Sequence, residues 1–164
     1  MGTGKTTVGR ELARRLNMEF IDTDELIEEK ERKTIERIFA DKGEKYFREV
    51  ERDIIKEVSE NEGCVISIGG GSMQREENII NLKRKGTIFL LTASVEEILK
   101  RVAEHNHRPL LKGCDVENRI RSLLQERAPQ YAKADFQIDT THLSIEEVVE
   151  RILHQLDMLK KGGE

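Results

Sequence analysis

The segment Gly2-Thr3-Gly4-Lys5-Thr6-Thr7 constrains this chain more than any other. It reads as the second half of a phosphate-binding loop, G-x-x-x-x-G-K-[ST]. Glycines let backbone N–H groups approach phosphate oxygens, and a following helix presents its positive end to the same anion. The apolar spacing from Val8 to Leu16 has helical period, so a helix should leave the loop directly. On this reading Gly2, Thr3, Gly4, Lys5, Thr6 and Thr7 hold a nucleoside triphosphate. Lys5 reaches its β- and γ-phosphates, and the Thr6 hydroxyl binds Mg²⁺. The plain alternative is a glycine turn before a helix. The first glycine of the pattern falls two positions upstream of Met1, so the front of the loop is expected to lie outside this sequence.

Length and composition narrow the class. At 164 residues a single domain spanning 1–164 is expected. Hydrophobic and charged residues each make up 37%, which suits a soluble protein with charged, solvent-facing helices. The net charge is −4 without a long run of one sign, which argues against a nucleic-acid stripe or a membrane-surface helix. No apolar stretch approaches the ~20 residues of a membrane span, and the given sequence does not open on a basic-then-apolar leader; a secreted protein that lost its leader with its front end is the weaker alternative. Cys64 and Cys114 form no motif, so a reducing, cytoplasmic location is the simplest reading.

Strand and helix patterns alternate along the chain. Phe20-Ile21 reads as a short strand, after which Asp24 caps a helix to about Glu31. Thr34 starts a short helix that Gly43 breaks, and a charged helix follows from about Glu44 to Ser59. Cys64-Val65-Ile66-Ser67-Ile68 reads as a buried strand ending in Gly69-Gly70-Gly71. A helix from about Glu76 to Lys83 leads to a strand at Thr87–Leu91. Ser94 with Glu97, and Ser144 with Glu147, form capping boxes for two further helices. Asp115 caps a helix to about Ala132, and Phe136–Ile138 is the last strand. This alternation predicts an α/β fold, a parallel sheet flanked by helices, with ligands beyond the carboxyl ends of the strands.

Two acids sit at one such end. In an extended segment Asp22 and Asp24 point the same way, so both carboxylates are expected to face the terminal phosphate. One would hold a metal-bound water and the other would orient a substrate hydroxyl. The structural alternative is that Asp24 only caps a helix.

Six segments occur in order: Lys5-Thr6-Thr7, Asp22-Thr23-Asp24, Phe47-Arg48-x-x-Glu51, Ile68-Gly69-Gly70-Gly71, Arg108-Pro109-Leu110-Leu111 and Arg127-Ala128-Pro129-x-Tyr131. Together they resemble shikimate kinase, over nearly the whole chain. The resemblance implies the P-loop fold of the nucleoside monophosphate kinases, with a parallel sheet of order 2-3-1-4-5 whose first strand is absent from this chain. It implies ATP-dependent phosphorylation of the 3-hydroxyl of shikimate, with ATP and Mg²⁺ as cofactors, in aromatic amino acid biosynthesis. By the same resemblance Arg48 and Arg127 bind shikimate, a role for which guanidinium forks suit its carboxylate. Asp24 binds the ring hydroxyls and helps deprotonate the attacking one. Gly70 and Gly71 bring backbone close to the ring. Lys5, Asp24 and Arg108 are the catalytic candidates, Arg101 stacks on adenine, and Thr6 and Asp22 are the metal ligands. Arg108 belongs to a mobile lid at about 105–114 and neutralises developing charge.

The plain reading of Arg48 and Arg127 is a solvated helix charge. Glu51, one turn from Arg48, holds that fork or is a surface pair. His105, His107 and Cys114 are zinc-ligand types, but a polar lid is the plainer reading. A monomer is expected, with a small-molecule substrate and neither nucleic acid nor membrane as partner. The competing functions are another kinase of this fold, such as a gluconate kinase, and a non-catalytic degenerate module. A missing central strand removes burial comparable with a domain's whole net stability of ~5–15 kcal/mol, so low stability in isolation is also expected.

Overall fold

Residues 3–105 and 114–162 are described by the structure, a computed structural model. They fall into two compact units, residues 12–88 and residues 1–11 with 89–164. Gly2, Arg108, His107 and most of the expected lid lie outside the described residues. Among the described residues, no helix is long and apolar enough to cross a membrane.

The unit of residues 12–88 is built on a parallel pair, β1 (Glu19–Asp22) and β2 (Cys64–Ser67). Phe20 faces Val65 across the ladder, and Asp22 faces Ser67 at its carboxyl end. Between the strands run α2 (Thr23–Glu31) and α3 (Ile35–Val58). Ile21, Ile27, Ile38, Phe47, Val50, Ile54 and Val58 form the core, so the inward faces of α2 and α3 cover the ladder. Gly43 has φ 78° and ψ 171°, which kinks α3 where the sequence predicted a break. Beyond β2 come Gly69–Gly71, a 3₁₀ turn (Ser72–Gln74) and α4 (Glu76–Lys85).

The start of α2 differs from expectation. Its cap is Asp22, whose Oδ1 accepts the Asp24 N–H at 3.0 Å. Asp24 lies in the first helical turn, where the helix dipole favours a carboxylate. Asp22 and Asp24 are therefore not related by the two-residue repeat of a strand. The strand stops at Asp22 because its ladder partner, Ser67, is the last residue of β2.

The other unit contains β3 (Phe89–Thr92) and β4 (Phe136–Asp139), again parallel. Phe89 and Phe136 are ladder partners, and their rings stack at 5.1 Å. With them go α5 (Val95–His105), α6 (Cys114–Tyr131) and α7 (Ile145–Gly162). Helix α1 (Lys5–Leu16) begins in this unit. Helix α6 starts at Cys114, one residue before the expected cap at Asp115.

The Ser144–Glu147 capping box forms reciprocally, with the Ser144 N–H on Glu147 at 2.7 Å and the Glu147 N–H on Ser144 Oγ at 3.2 Å. The Ser94–Glu97 box forms only by half. Glu97 N–H donates to Ser94 Oγ, but Ser94 N–H donates to Thr141 Oγ1 and the Glu97 carboxylate takes Arg101 instead.

The strand pairs match positions 2-3 and 4-5 of the expected sheet order, as two separate ladders. In β2 only Ser67 is fully buried; Cys64, Val65 and Ile66 are half-buried, unlike the buried strand expected. Among the described residues each strand pairs on one side only.

Candidate active site

In residues 12–88, three segments deliver polar groups to the carboxyl end of the β1–β2 ladder. The first is the β1–α2 junction. Thr23, fully buried, donates from Oγ1 to the Ser67 carbonyl at 3.2 Å and ties the two strand ends together. This places Asp24 over the glycine loop that follows β2. The loop passes so close that an ideal Cβ on Gly69 would lie 3.2 Å from Asp24 Oδ1, Glu51 Oε1 and Ser72 Oγ alike.

Helix α3 supplies the second group. Arg48 Nη1 donates to Glu51 Oε2 at 2.8 Å, one helical turn away. Its Nη2 reaches Glu44 Oε1 at 3.2 Å, and its guanidinium lies 5.2 Å from the Phe47 ring centre. Glu51 is only 2% exposed and Arg48 23%, so this is not a solvated surface pair. Burial works against the Arg48 charge, but the hydrogen bond and field of Glu51, helped by Glu44, outweigh it and raise its pKa above the ordinary value. Arg48 is thus a permanent cation held in one place by a buried anion.

The glycine loop is the third. An ideal Cβ on Gly71 would lie 2.5 Å from Arg48 Nη2 and 2.8 Å from Nη1. Arg48 therefore packs directly on this backbone, and a side chain at Gly71 would require the guanidinium to shift. Of the two glycines the resemblance points to, Gly71 makes this close approach, and the neighbouring Gly69 makes another, to Asp24, Glu51 and Ser72. A cation, a carboxylate and a side-chain-free backbone together suit a small ligand bearing both a carboxylate and hydroxyl groups.

The other unit carries the described part of the expected phosphate loop, Thr3–Thr7. Gly4 has φ +79°, and its carbonyl accepts the Val8 N–H at 2.9 Å, the first bond of α1. Lys5, Thr6 and Thr7 form the opening turn of α1, whose N–H groups have no acceptor within the helix and can serve a phosphate.

Arg101 on α5 is pinned on both sides. It donates to Glu97 Oε1 at 2.8 Å, to Thr140 Oγ1 at 3.1 Å and to the Thr140 carbonyl at 2.8 Å. Thr140 in turn bonds the Thr92 carbonyl through both its N–H and its hydroxyl. The ends of β3 and β4 and the loop before α7 are thereby locked to one guanidinium plane. Thr140 is an isolated threonine in a loop, a pattern that carries no sequence signal of such a role.

Arg127, on α6, is half-buried, and its Nε is enclosed without a hydrogen-bond partner among the described residues. An enclosed guanidinium N–H of this kind suits an anionic ligand better than a solvated charge does. Among the described residues no group of three or more His, Cys, Asp or Glu side chains is placed to hold a metal.

The family model described as shikimate kinase matches residues 1–157. The shikimate kinase of Thermodesulfovibrio yellowstonii is 44% identical over 162 residues, covering 99% of this chain and 94% of that protein. That of Caldanaerobacter subterraneus is 43% identical over 160 residues, covering 98% and 94%. Among solved structures, shikimate kinase from Acinetobacter baumannii in complex with shikimate has a TM-score of 0.88 at 37% identity, covering 98% of this chain and 90% of that one. The Aquifex aeolicus enzyme gives 0.82 at 40% identity, covering 96% and 92%. The α/β P-loop kinase fold expected from the sequence is therefore borne out. With a match that runs through both units, the chain belongs to the shikimate kinase family.

Proposed function

We propose that this chain is an ATP-dependent kinase that transfers a phosphoryl group to the 3-hydroxyl of shikimate, within aromatic amino acid biosynthesis. The observation that carries the reading is Arg48, locked by buried Glu51 against the Gly69–Gly71 backbone. Family membership and the relatives named shikimate kinase support it.

In this mechanism Arg48 and Arg127 bind the shikimate carboxylate through paired N–H bonds. Asp24 accepts a hydrogen bond from the 3-hydroxyl and takes its proton as the oxygen attacks the γ-phosphorus. The new O–P bond forms in line with the bond to ADP that breaks. Lys5 and the opening turn of α1 hold the β- and γ-phosphates, with Gly2, Thr3, Gly4 and Thr7 shaping the cradle. Arg108 neutralises charge that develops on the transferred group. Arg101 flanks adenine. Positioning and charge neutralisation carry the catalysis.

The donor chemistry also fits Mg²⁺, which takes one or two hard protein oxygens and fills its remaining sites with phosphate and water. Thr6 and Asp22 would supply those oxygens, and the ion would offset phosphate charge. The same reading treats 1–164 as one cytoplasmic, monomeric kinase domain with 105–114 as its lid, acting on a small molecule and on neither nucleic acid nor membrane.

The test is shikimate-dependent ADP release by the full chain, with gluconate as control acceptor. Arg48→Ala should raise the KM for shikimate by at least about 30-fold, because a hydrogen-bonded charge contact is lost, and leave ATP affinity unchanged. Equal losses for both substrates would remove Arg48 from the acceptor site. ADP release with gluconate alone would overturn the choice of substrate.

A further inference from the structure

Ser72 and Asn78 belong to none of the groups described above, yet both are buried polar side chains beside them. Ser72 is 0% exposed and Asn78 1%. Ser72 Oγ donates to Glu51 Oε1 at 2.6 Å, the oxygen that Arg48 does not use. The Ser72 N–H donates to the Gly69 carbonyl at 3.0 Å, and its own carbonyl accepts from Asn78 Nδ2 at 2.9 Å. A continuous series of hydrogen bonds thus runs from α4 through the 3₁₀ turn to Glu51 and on to Arg48.

The logic is that of a two-point mount. A carboxylate held at one oxygen can still swing about its side-chain torsions. Held at both, in a buried position, it is confined to one place, and so is the guanidinium it carries. A clamp that must meet a carboxylate fork to fork depends on placement within about 0.5 Å. We propose that Ser72, braced by Asn78, is a positioning residue for the acceptor's carboxylate: it fixes Glu51, and Glu51 fixes Arg48. This rests on the reading of Arg48 as the carboxylate clamp.

The experiment compares Ser72→Ala and Ser72→Cys with the unaltered chain, using shikimate and its methyl ester as acceptors. The ester keeps the ring hydroxyls and loses the carboxylate charge. Ser72→Ala should raise the KM for shikimate about tenfold while kcat stays within about twofold, because a hydrogen bond to a charged group is lost in a binding element. The KM for ATP should not move. With the ester, Ser72→Ala and the unaltered chain should have the same KM. Ser72→Cys is somewhat larger and keeps a weak S–H donor, so it should lie between them and remain informative if the alanine variant does not fold.

Unchanged shikimate KM in both variants would overturn the proposal. So would an equal penalty on shikimate and ester, which marks a merely structural role. Arg48→Ala separates the two levels of the argument. A normal shikimate KM in Arg48→Ala defeats the clamp itself. A defective Arg48→Ala beside normal Ser72 variants defeats only the assignment of Ser72.

Discussion

Replacing Gly71 by alanine adds one methyl group where the backbone can accept it. Gly71 has φ −91° and ψ −11°, which any L-residue adopts, so the substitution brings no torsional strain. By restricting the unfolded chain it even favours folding by ~0.4–1 kcal/mol. The cost falls elsewhere. The new Cβ would sit 2.5, 2.8 and 2.9 Å from Arg48 Nη2, Nη1 and Cζ. Ordinary contact needs ~3.5 Å, so the guanidinium must retreat by about 1 Å. Its bond to Glu51 starts at 2.8 Å, so a retreat of that size carries it past useful hydrogen-bonding range.

A hydrogen bond between charged groups contributes ~1.5–3 kcal/mol, and each ~1.4 kcal/mol is tenfold in affinity. Gly71→Ala should therefore weaken shikimate binding by roughly ten- to a hundredfold while leaving ATP binding intact. Titration calorimetry with each substrate measures this directly, and a thermal melt within a few degrees of the unaltered chain shows that the fold is kept. Normal shikimate affinity in Gly71→Ala would mean that Arg48 need not rest on this backbone, and the steric reasoning would fail. Equal weakening of both substrates would locate the damage outside the acceptor site.

Three other outcomes follow from the same geometry. Asp24→Asn should lower kcat by ~10²–10⁴, the range for a lost general base, with a much smaller change in shikimate KM; unchanged kcat removes Asp24 from the chemistry. Arg101→Ala frees Thr140 from two hydrogen bonds and should raise the KM for ATP about tenfold with shikimate KM unaffected, as steady-state kinetics in both substrates will show. Glu31 has its pKa lowered below the ordinary 4.5, chiefly by the hydrogen bond from Lys42 and then by that from Tyr46. Its contribution to stability is therefore present above about pH 4.5 and is lost as pH falls through the lowered value. Melting curves from about pH 7 to about pH 3 should show Glu31→Gln less stable at neutral pH and converging with the unaltered chain in acid; parallel profiles across that range would contradict the assignment.

The phosphate loop and α1 are legible in sequence because glycine, lysine and threonine spacing is a local property. So is the Ser144–Glu147 box, whose partners lie one turn apart. Its counterpart at Ser94–Glu97 fails for a reason no local pattern contains: Thr141, distant in sequence, supplies a competing acceptor, and Arg101 claims the glutamate. The choice between Asp22 and Asp24 as helix cap is open locally, since either residue type serves. The ladder with β2 decides it by fixing where β1 ends. Glu51 is visible in sequence only as a residue one turn from Arg48. Its burial, which turns a surface pair into an anchor, comes from the approach of the glycine loop. Ser72 follows a run of glycines and Asn78 falls inside the helix expected from Glu76, and nothing in their spacing announces that Asn78 braces Ser72 or that Ser72 bonds α3.

The kink at Gly43 has a consequence for how this helix can change over time. In an unbroken helix, adding or removing one residue rotates everything beyond it by about 100°. Arg48 and Glu51 would then swing away from the glycine loop together. Non-helical torsions at Gly43 interrupt that transmission. The stretch before it is tied back to the α2 side by Lys33–Asp41 and Lys42–Glu31, while the stretch after it takes its angular phase from Val50, Ile54 and Val58 in the core. Length variation among residues 32–42 can therefore be absorbed at the kink, leaving the cation that meets the acceptor in register.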